Sequence, residues 1–344
     1  MSYLLKRTVT GKGKRIFFQT SGKGPALALF HASPFSSDML LPFAQQLSSY
    51  FTVFCIDTPG YGRSDGFDAP PKDLSAYSEL LPEFFDHLGI EKLSIYGSAT
   101  GAQLAVRFAL DYPERVNQVY LDNAAHFNSE LRAQILEHYF PDLTPRLDGS
   151  HLDTVWDIAS NLFLYFPWCF KTEKFALNRP QLPPAALHGI ALTYLDAGEK
   201  YHYAYRVAFM HEKAEHAQAL KVPTTIFRWD ESIILPYIDA LLDHELPDHV
   251  KPKRLQGQNE ERFQGMVAHM KQQHAQDEPF IFDADLGQAY VAPSKTALDV
   301  MLPEAVENGK HLHNAWALLR EHSPEASAEE IQQLLLLGYK KQTT

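Results

Sequence analysis

The sequence predicts an α/β protein built on a mostly parallel sheet with helices on both faces, and three observations predict it. Short apolar runs alternate with helical stretches through the first 126 of 344 residues, the pattern of a layered α/β architecture. One of those runs, Lys92–Tyr96, enters a helix through the glycine-framed turn Gly97-Ser98-Ala99-Thr100-Gly101. A further apolar run returns at Val222–Arg228 after a long aromatic-rich stretch, so the sheet is interrupted rather than finished.

Taken in order, Leu4–Thr10 and Lys14–Thr20 flank Gly11-Lys12-Gly13 and read as a leading hairpin. Ala26–His31 is a buried strand, followed by the loop Ala32–Ser37 and a helix over Asp38–Leu47. Phe51–Asp57 is the next strand and Leu74–Leu88 the next helix. After the glycine-framed turn come a helix over Ala102–Leu110 and a strand over Val116–Asp122. Residues 127–219 lack strand patterns and are broken by Pro180, Pro183 and Pro184 into helical pieces, so they read as an inserted helical lid. Its aromatics could line a pocket, although packing among its own helices explains most of them. Val222–Arg228, Pro236–Leu242, Lys251–Leu255 and Phe263–Gln273 then continue strand, helix, strand, helix. The expected division is a core of residues 1–126 and 220–275, the lid at 127–219, and a helical C-terminal extension at 276–344. In the extension, Gly287–Ala292 suits an added edge strand, and Ser327-Ala328-Glu329-Glu330 matches a capping box. The apolar Leu334–Leu337 should dock on this core or on a second copy, making a homo-oligomer through the extension.

Composition narrows the function. Hydrophobic residues make up 45% and charged residues 21%, an ordinary globular balance. A net charge of −11 argues against nucleic acid as a partner, because phosphate binding needs concentrated Lys and Arg. No apolar run reaches the roughly 18 residues needed to span a bilayer, and the N-terminus lacks a secretory apolar stretch. A cytoplasmic protein with no membrane partner is expected. Cys55 and Cys169 are the only cysteines and are expected to be buried thiols, not a disulfide. The sixteen histidines are scattered without close-spaced pairs, so neither a metal nor another cofactor is expected.

Gly97–Gly101 has the strand–turn–helix setting of a nucleophile elbow, Gly-x-nucleophile-x-Gly. Its centre is Ala99, which has no nucleophilic atom. Two further motifs accompany it: Phe30-His31-Ala32-Ser33-Pro34, and Asp57-Thr58-Pro59-Gly60-Tyr61-Gly62-Arg63-Ser64-Asp65. Together, over roughly residues 10–275, they resemble the α/β-hydrolase superfamily, with its His-Gly-x-Pro oxyanion loop and Asp-x-Pro-Gly-x-Gly-x-Ser turn. Ala99-Thr100-Gly101-Ala102, Asp148–Leu152, Phe166-Pro167-Trp168 and Tyr201–Tyr205 further resemble a bacterial subset whose elbow reads His-Thr-Gly-Ala.

The resemblance implies where a Ser-His-Asp triad would sit. The nucleophile position is Ala99, the acid position after Val222–Arg228 is Ser232, and the histidine position after Lys251–Leu255 is Asn259. A shifted alignment would offer Asp230 or Glu231, and the nearest histidine is His269, well inside the next helix. Asp122 stands where some members, haloalkane dehalogenases among them, carry their acid; it could equally cap the lid. Ser33 and Thr100 would supply oxyanion N–H groups, His31 would support that loop, and Ser98 beside the apex is a hydroxyl that backbone can satisfy. Among lid histidines, His151 is the acid–base candidate. The expected function is an oxyanion-type pocket for a small carbonyl or ester-like substrate without the ordinary triad. The alternatives are a non-catalytic relative that binds a small ligand or protein partner, and a hydrolase whose nucleophile has been replaced. Replacement would account for Ala99 but not for the missing histidine.

Overall fold

The computed structural model describes residues 5–274 and 277–289. Among the described residues nine strands form one sheet in the order β8-β7-β6-β5-β3-β4-β2-β1-β9. They are β1 Leu5–Gly11, β2 Lys14–Ser21, β3 Ala26–Phe30, β4 Thr52–Ile56, β5 Leu93–Ser98, β6 Val116–Asp122, β7 Thr224–Trp229, β8 Val250–Leu255 and β9 Gln288–Ala289. β3 to β8 run parallel, while β1 and β2 form the expected hairpin and β2 lies antiparallel to β4. The hairpin turn places Lys12 and Gly13 at φ 45° and 78°, the doubly positive pair that a two-residue turn needs to match strand twist.

The helices are α1 Leu41–Leu47, α2 Ser75–Ser78, α3 Leu81–His87, α4 Thr100–Asp111, α5 Ser129–His138, α6 Ser150–Asn161, α7 Pro184–Ala197, α8 His202–His211, α9 Ala214–Gln218, α10 Leu235–Leu242 and α11 Asn259–Gln273. Two expected helices are divided. Asp38–Leu47 becomes a 3₁₀ turn at Ser37–Leu40 followed by α1, and Leu74–Leu88 becomes α2 and α3. In each case a proline, Pro42 or Pro82, lies in the first turn of the second piece. Proline supplies no N–H to the turn before it, so the helix restarts there.

Every residue of β3 and β4 is buried, as parallel strands covered on both faces require. On one face Leu29, Val53, Cys55, Tyr96, Tyr120 and Phe227 pack with Phe43 of α1 and Met266 and Met270 of α11. Each such buried side chain contributes about 1.5–3 kcal/mol. The other face carries α3 and α4, joined by the Phe85–Phe108 contact at 5.7 Å. Both cysteines are free; Cys55 is buried as expected, which pushes its thiol up, whereas Cys169 is only half-buried and is pushed up to about 11.

The chain divides into two compact units, residues 5–136 with 202–289 and residues 137–201. In the second unit backbone carbonyls take up the polar ends of two aromatics: Trp168 Nε1 donates to the Tyr139 carbonyl at 3.2 Å, and the Tyr201 hydroxyl to the Pro141 carbonyl at 2.9 Å. In the first, residues after α11 bind the sheet. Phe280 N–H donates to the Gly24 carbonyl at 2.9 Å, Phe282 packs on Phe18 and Phe54, and β9 pairs with β1. The expected edge strand is thus present at Gln288–Ala289. The capping box at 327–330 and the oligomer-forming stretch at 334–337 lie outside the described residues. Among the described residues no helix is long and apolar enough to cross a membrane.

Strand order fixes where a site can form. The chain passes from β3 to β4 on one side, then returns to place β5 on the other. Loops leaving the carboxyl ends of β3 and β5 therefore diverge, and the crevice between them is where open α/β sheets bind ligands. The Ser33 loop follows β3 and the Ala99 turn follows β5.

Candidate active site

The turn after β5 has the tightness that its sequence implies. A Cβ on Gly97 would lie 2.2 Å from the Gly101 carbonyl oxygen, and one on Gly101 would lie 2.2 Å from that of Phe30. Neither position admits a side chain. Ala99 at the apex has φ 48° and ψ −109°, a conformation costing on the order of 1–3 kcal/mol for a residue with a Cβ. Its N–H donates to the Asp122 carbonyl at 2.9 Å, and its carbonyl accepts from Gln103 N–H at 3.1 Å. Thr100, the first residue of α4, has an N–H for which the helix offers no acceptor.

Across the crevice the loop after β3 is braced from below. His31 is fully buried; its Nε2 accepts the Thr58 N–H at 2.9 Å and its Nδ1 lies 3.0 Å from the Ala32 carbonyl. A neutral ring protonated on Nδ1 satisfies both bonds, and burial holds its pKa below the usual histidine value. Asp57 accepts the N–H groups of Ser37 at 2.7 Å and Arg63 at 2.8 Å, so it fixes two loops at once. Gly62 (φ 56°) is obligatory beside it, since a Cβ there would lie 2.3 Å from the carboxylate. Ser33 is buried, and its side chain faces the Tyr61 hydroxyl.

Asp122 ends β6 next to the elbow, 1% exposed. Its Oδ2 accepts from the Tyr96 hydroxyl at 2.8 Å, from Ser98 Oγ at 3.5 Å, and from the Arg262 guanidinium. Ser98 thus turns toward the carboxylate, as the neighbour of an elbow apex should. Arg262, in the first turn of α11, is 8% exposed and packs over Trp229, its guanidinium carbon 4.5 Å from the ring centre. No histidine is among the hydrogen-bond partners of Asp122 in the described residues.

The other triad positions are filled without catalytic groups. Ser232 donates to Asn123 Oδ1 at 2.7 Å and accepts the Ile234 N–H. Asn259 opens α11 on the exposed surface. Asp230 is exposed and paired with Arg228, and Glu231 is also exposed. His269 faces Thr225 Oγ1 at 3.1 Å and packs edge-on against Tyr120 and Phe227. His151 belongs to the second compact unit, where its Nδ1 accepts the Arg146 N–H at 3.1 Å.

Two polar clusters, each anchored on a buried residue of β5 or α4, were not assembled by sequence reasoning. Gln103, one turn after the apex, meets His211 Nδ1 at 3.0 Å and Glu212 Oε1 at 3.4 Å, and Glu212 also accepts the Ala125 N–H at 3.1 Å. Burial pushes His211 down to about 2 and Glu212 well above its usual value. Nearer the amino end of β5, Ser94 Oγ, His274 and Asp277 form a hydrogen-bonded chain of 3.3 and 2.5 Å. That order resembles a triad, but Ser94 is 1% exposed inside the sheet. Its role is to secure the segment after α11. Among the described residues, no group of three His, Cys, Asp or Glu side chains could hold a metal ion.

Comparison with known proteins bears on the fold and the family. Residues 25–257 match the family model described as alpha/beta hydrolase fold. A 2-hydroxy-6-oxononadienedioate/2-hydroxy-6-oxononatrienedioate hydrolase of Paraburkholderia phymatum is 30% identical over 116 residues, 32% of this chain and 40% of that one. An uncharacterized protein of Mycobacterium bovis is 32% identical over 117 residues, 33% of each chain. The chain thus spans less than half the length of these curated relatives. Among solved structures, an epoxide hydrolase from an endophytic Streptomyces superposes with a TM-score of 0.62 at 17% identity, covering 78% of this chain and 94% of that one. Epoxide Hydrolase A from Mycobacterium thermoresistibile gives 0.60 at 16%, covering 78% and 98%. At such identities the likeness is one of fold.

Proposed function

The chain belongs to the alpha/beta hydrolase fold family, and from that premise we propose that it binds a small carbonyl- or ester-bearing ligand at the elbow's backbone donors without triad hydrolysis. One observation carries this reading: Ala99 keeps the strained φ 48°, ψ −109° of a nucleophile apex while offering no nucleophile. Strain of that size persists where it positions something. With the side chain inert, what the turn positions is backbone. The Thr100 N–H and the Ser33 N–H of the facing loop are the donors for a polarised carbonyl oxygen. From the segment inserted between β6 and β7, the Tyr205 backbone reaches the Tyr61 hydroxyl beside Ser33.

A hydrolase lacking only its nucleophile is less well supported. Asp122, a buried carboxylate beside the apex, is held by Arg262, Tyr96 and Ser98. A serine at the apex would have no base to take its proton.

The reading is tested by titrating the protein calorimetrically with benzoylformate and methyl benzoylformate, and by assaying activated esters. Saturable binding of at least one probe without ester turnover is expected. Turnover by the unmodified chain, or binding of neither probe, would overturn it.

A further inference from the structure

Arg262 donates to Asp122, the carboxylate that would orient a histidine if the acid followed β6. It comes from the first turn of α11, three residues after the expected histidine position at Asn259. An arginine side chain keeps its charge and has no acceptor, so it cannot serve as a general base. Whatever it does there, it does as a cation and a hydrogen-bond donor.

Its surroundings define that role. Trp229 and Phe263 lie at 4.5 and 5.6 Å from the guanidinium carbon, which leaves the in-plane N–H groups as its means of recognition. One of these goes to Asp122 Oδ2, whereas the buried Nε has no partner. Asp122 Oδ2 is shared with Ser98, the residue before the apex, and the Asp122 carbonyl holds the Ala99 N–H. The cation is therefore one carboxylate away from the carbonyl-binding turn. Asp122 alone does not saturate it, since a guanidinium fork pairs best with two oxygens at once.

We propose that Arg262 is the specificity-determining residue of the elbow site and selects ligands that carry a carboxylate beside the carbonyl group. The proposal rests on the carbonyl-binding reading above and names the ligand class for it. A carbonyl oxygen at the backbone donors and an adjacent carboxylate at Arg262 would engage both features that the turn and α11 present.

The experiment compares two probes that differ by one charge. Benzoylformate, an anionic oxo acid, is titrated calorimetrically beside methyl benzoylformate, its neutral ester. The native chain is expected to bind the anion about tenfold to a hundredfold more tightly, the range for a hydrogen bond to a charged group. In Arg262→Gln that ratio should fall to about one, and Arg262→Lys should restore part of it. Because Arg262→Gln strands Asp122, the paired variant Asp122→Asn/Arg262→Gln is titrated too, with the same loss of ratio expected. Equal affinity for both probes in the native chain would overturn the role of Arg262 and leave carbonyl binding standing. So would a preference that survives in both glutamine variants. Binding of neither probe would overturn the carbonyl-binding reading and this inference with it.

Discussion

The Ala99 N–H donates to the Asp122 carbonyl oxygen at 2.9 Å, which ties the strained apex of the elbow to the end of the neighbouring strand. The backbone that would present a nucleophile is thus fixed by strand pairing and not by the apex side chain. A serine fits the same φ and ψ as the alanine, so Ala99→Ser should leave stability within about 0.5 kcal/mol of the native chain. It should also leave 4-nitrophenyl acetate turnover at the buffer rate, because the carboxylate beside it holds an arginine and no histidine. A rate well above buffer would mean that a working base is present.

The Asp122–Arg262 pair is buried on both sides, with side-chain exposures of 2% and 10%. Removing one partner leaves the other charge uncompensated, so Asp122→Asn alone should cost about 3–5 kcal/mol in urea unfolding. Replacing both, as Asp122→Asn/Arg262→Met, should cost much less than the sum of the single changes. The coupling from that double-mutant cycle is the quantity to measure. Additive losses would show that the two side chains do not depend on each other.

These two relationships mark the limit of what the sequence could yield. The elbow was legible because its glycines answer to local crowding: Gly97 and Gly101 are needed wherever a strand turns this sharply into a helix. The loop after β3 and the Asp57 turn were legible for the same reason, each motif being satisfied within a few residues or by the adjacent loop. Arg262 was not legible. It sits in Asn259-Glu260-Glu261-Arg262, a charged run that reads as the solvated start of a helix, and its partner lies 140 residues away. Gln103 with His211 and Glu212, and Ser94 with His274, are likewise long-range pairs of ordinary residues. Only the folded sheet brings them together. The divided helices are a different case, since Pro42 and Pro82 were visible and their place in the first turn of a new helix follows from proline's missing donor.

Glycine substitutions separate crowding from flexibility. Gly101→Ala drives a methyl to within 2.2 Å of the Phe30 carbonyl oxygen, backbone that cannot move without opening the sheet. It should cost more than about 4 kcal/mol or prevent soluble expression. Gly189 in α7 has nothing within 4 Å of an added Cβ. There Gly189→Ala should stabilise by roughly 0.5–1 kcal/mol through helix propensity and reduced unfolded-state entropy. Thermal melts of both variants decide the matter, and a tolerated Gly101→Ala would mean that the elbow is looser than described.

The Gln103–His211–Glu212 cluster sets a pH profile whose sign can be worked out group by group. His211 titrates near 6.5 when unfolded and is pushed down to about 2 by burial. Between those values the unfolded chain binds a proton that the folded chain refuses, so stability falls as pH drops below 6.5. Glu212 is shifted the other way, burial raising it well above 4.5 despite the Ala125 and Gln103 donors. Above 4.5 the folded chain retains a proton that the unfolded chain has lost, so stability falls as pH rises until Glu212 itself ionises. Above 4.5 and below 6.5 the two slopes, each at most about 1.4 kcal/mol per pH unit, oppose each other for as long as Glu212 keeps its proton. The pair therefore contributes a plateau with a falling limb on either side. Urea midpoints from pH 4 to 9 should show His211→Gln flattening the acid limb and Glu212→Gln the alkaline one. If Glu212→Gln left the alkaline limb unchanged, Glu212 would have to be ionised in the folded chain, with Gln103 and Ala125 holding a carboxylate in place of a carboxylic acid.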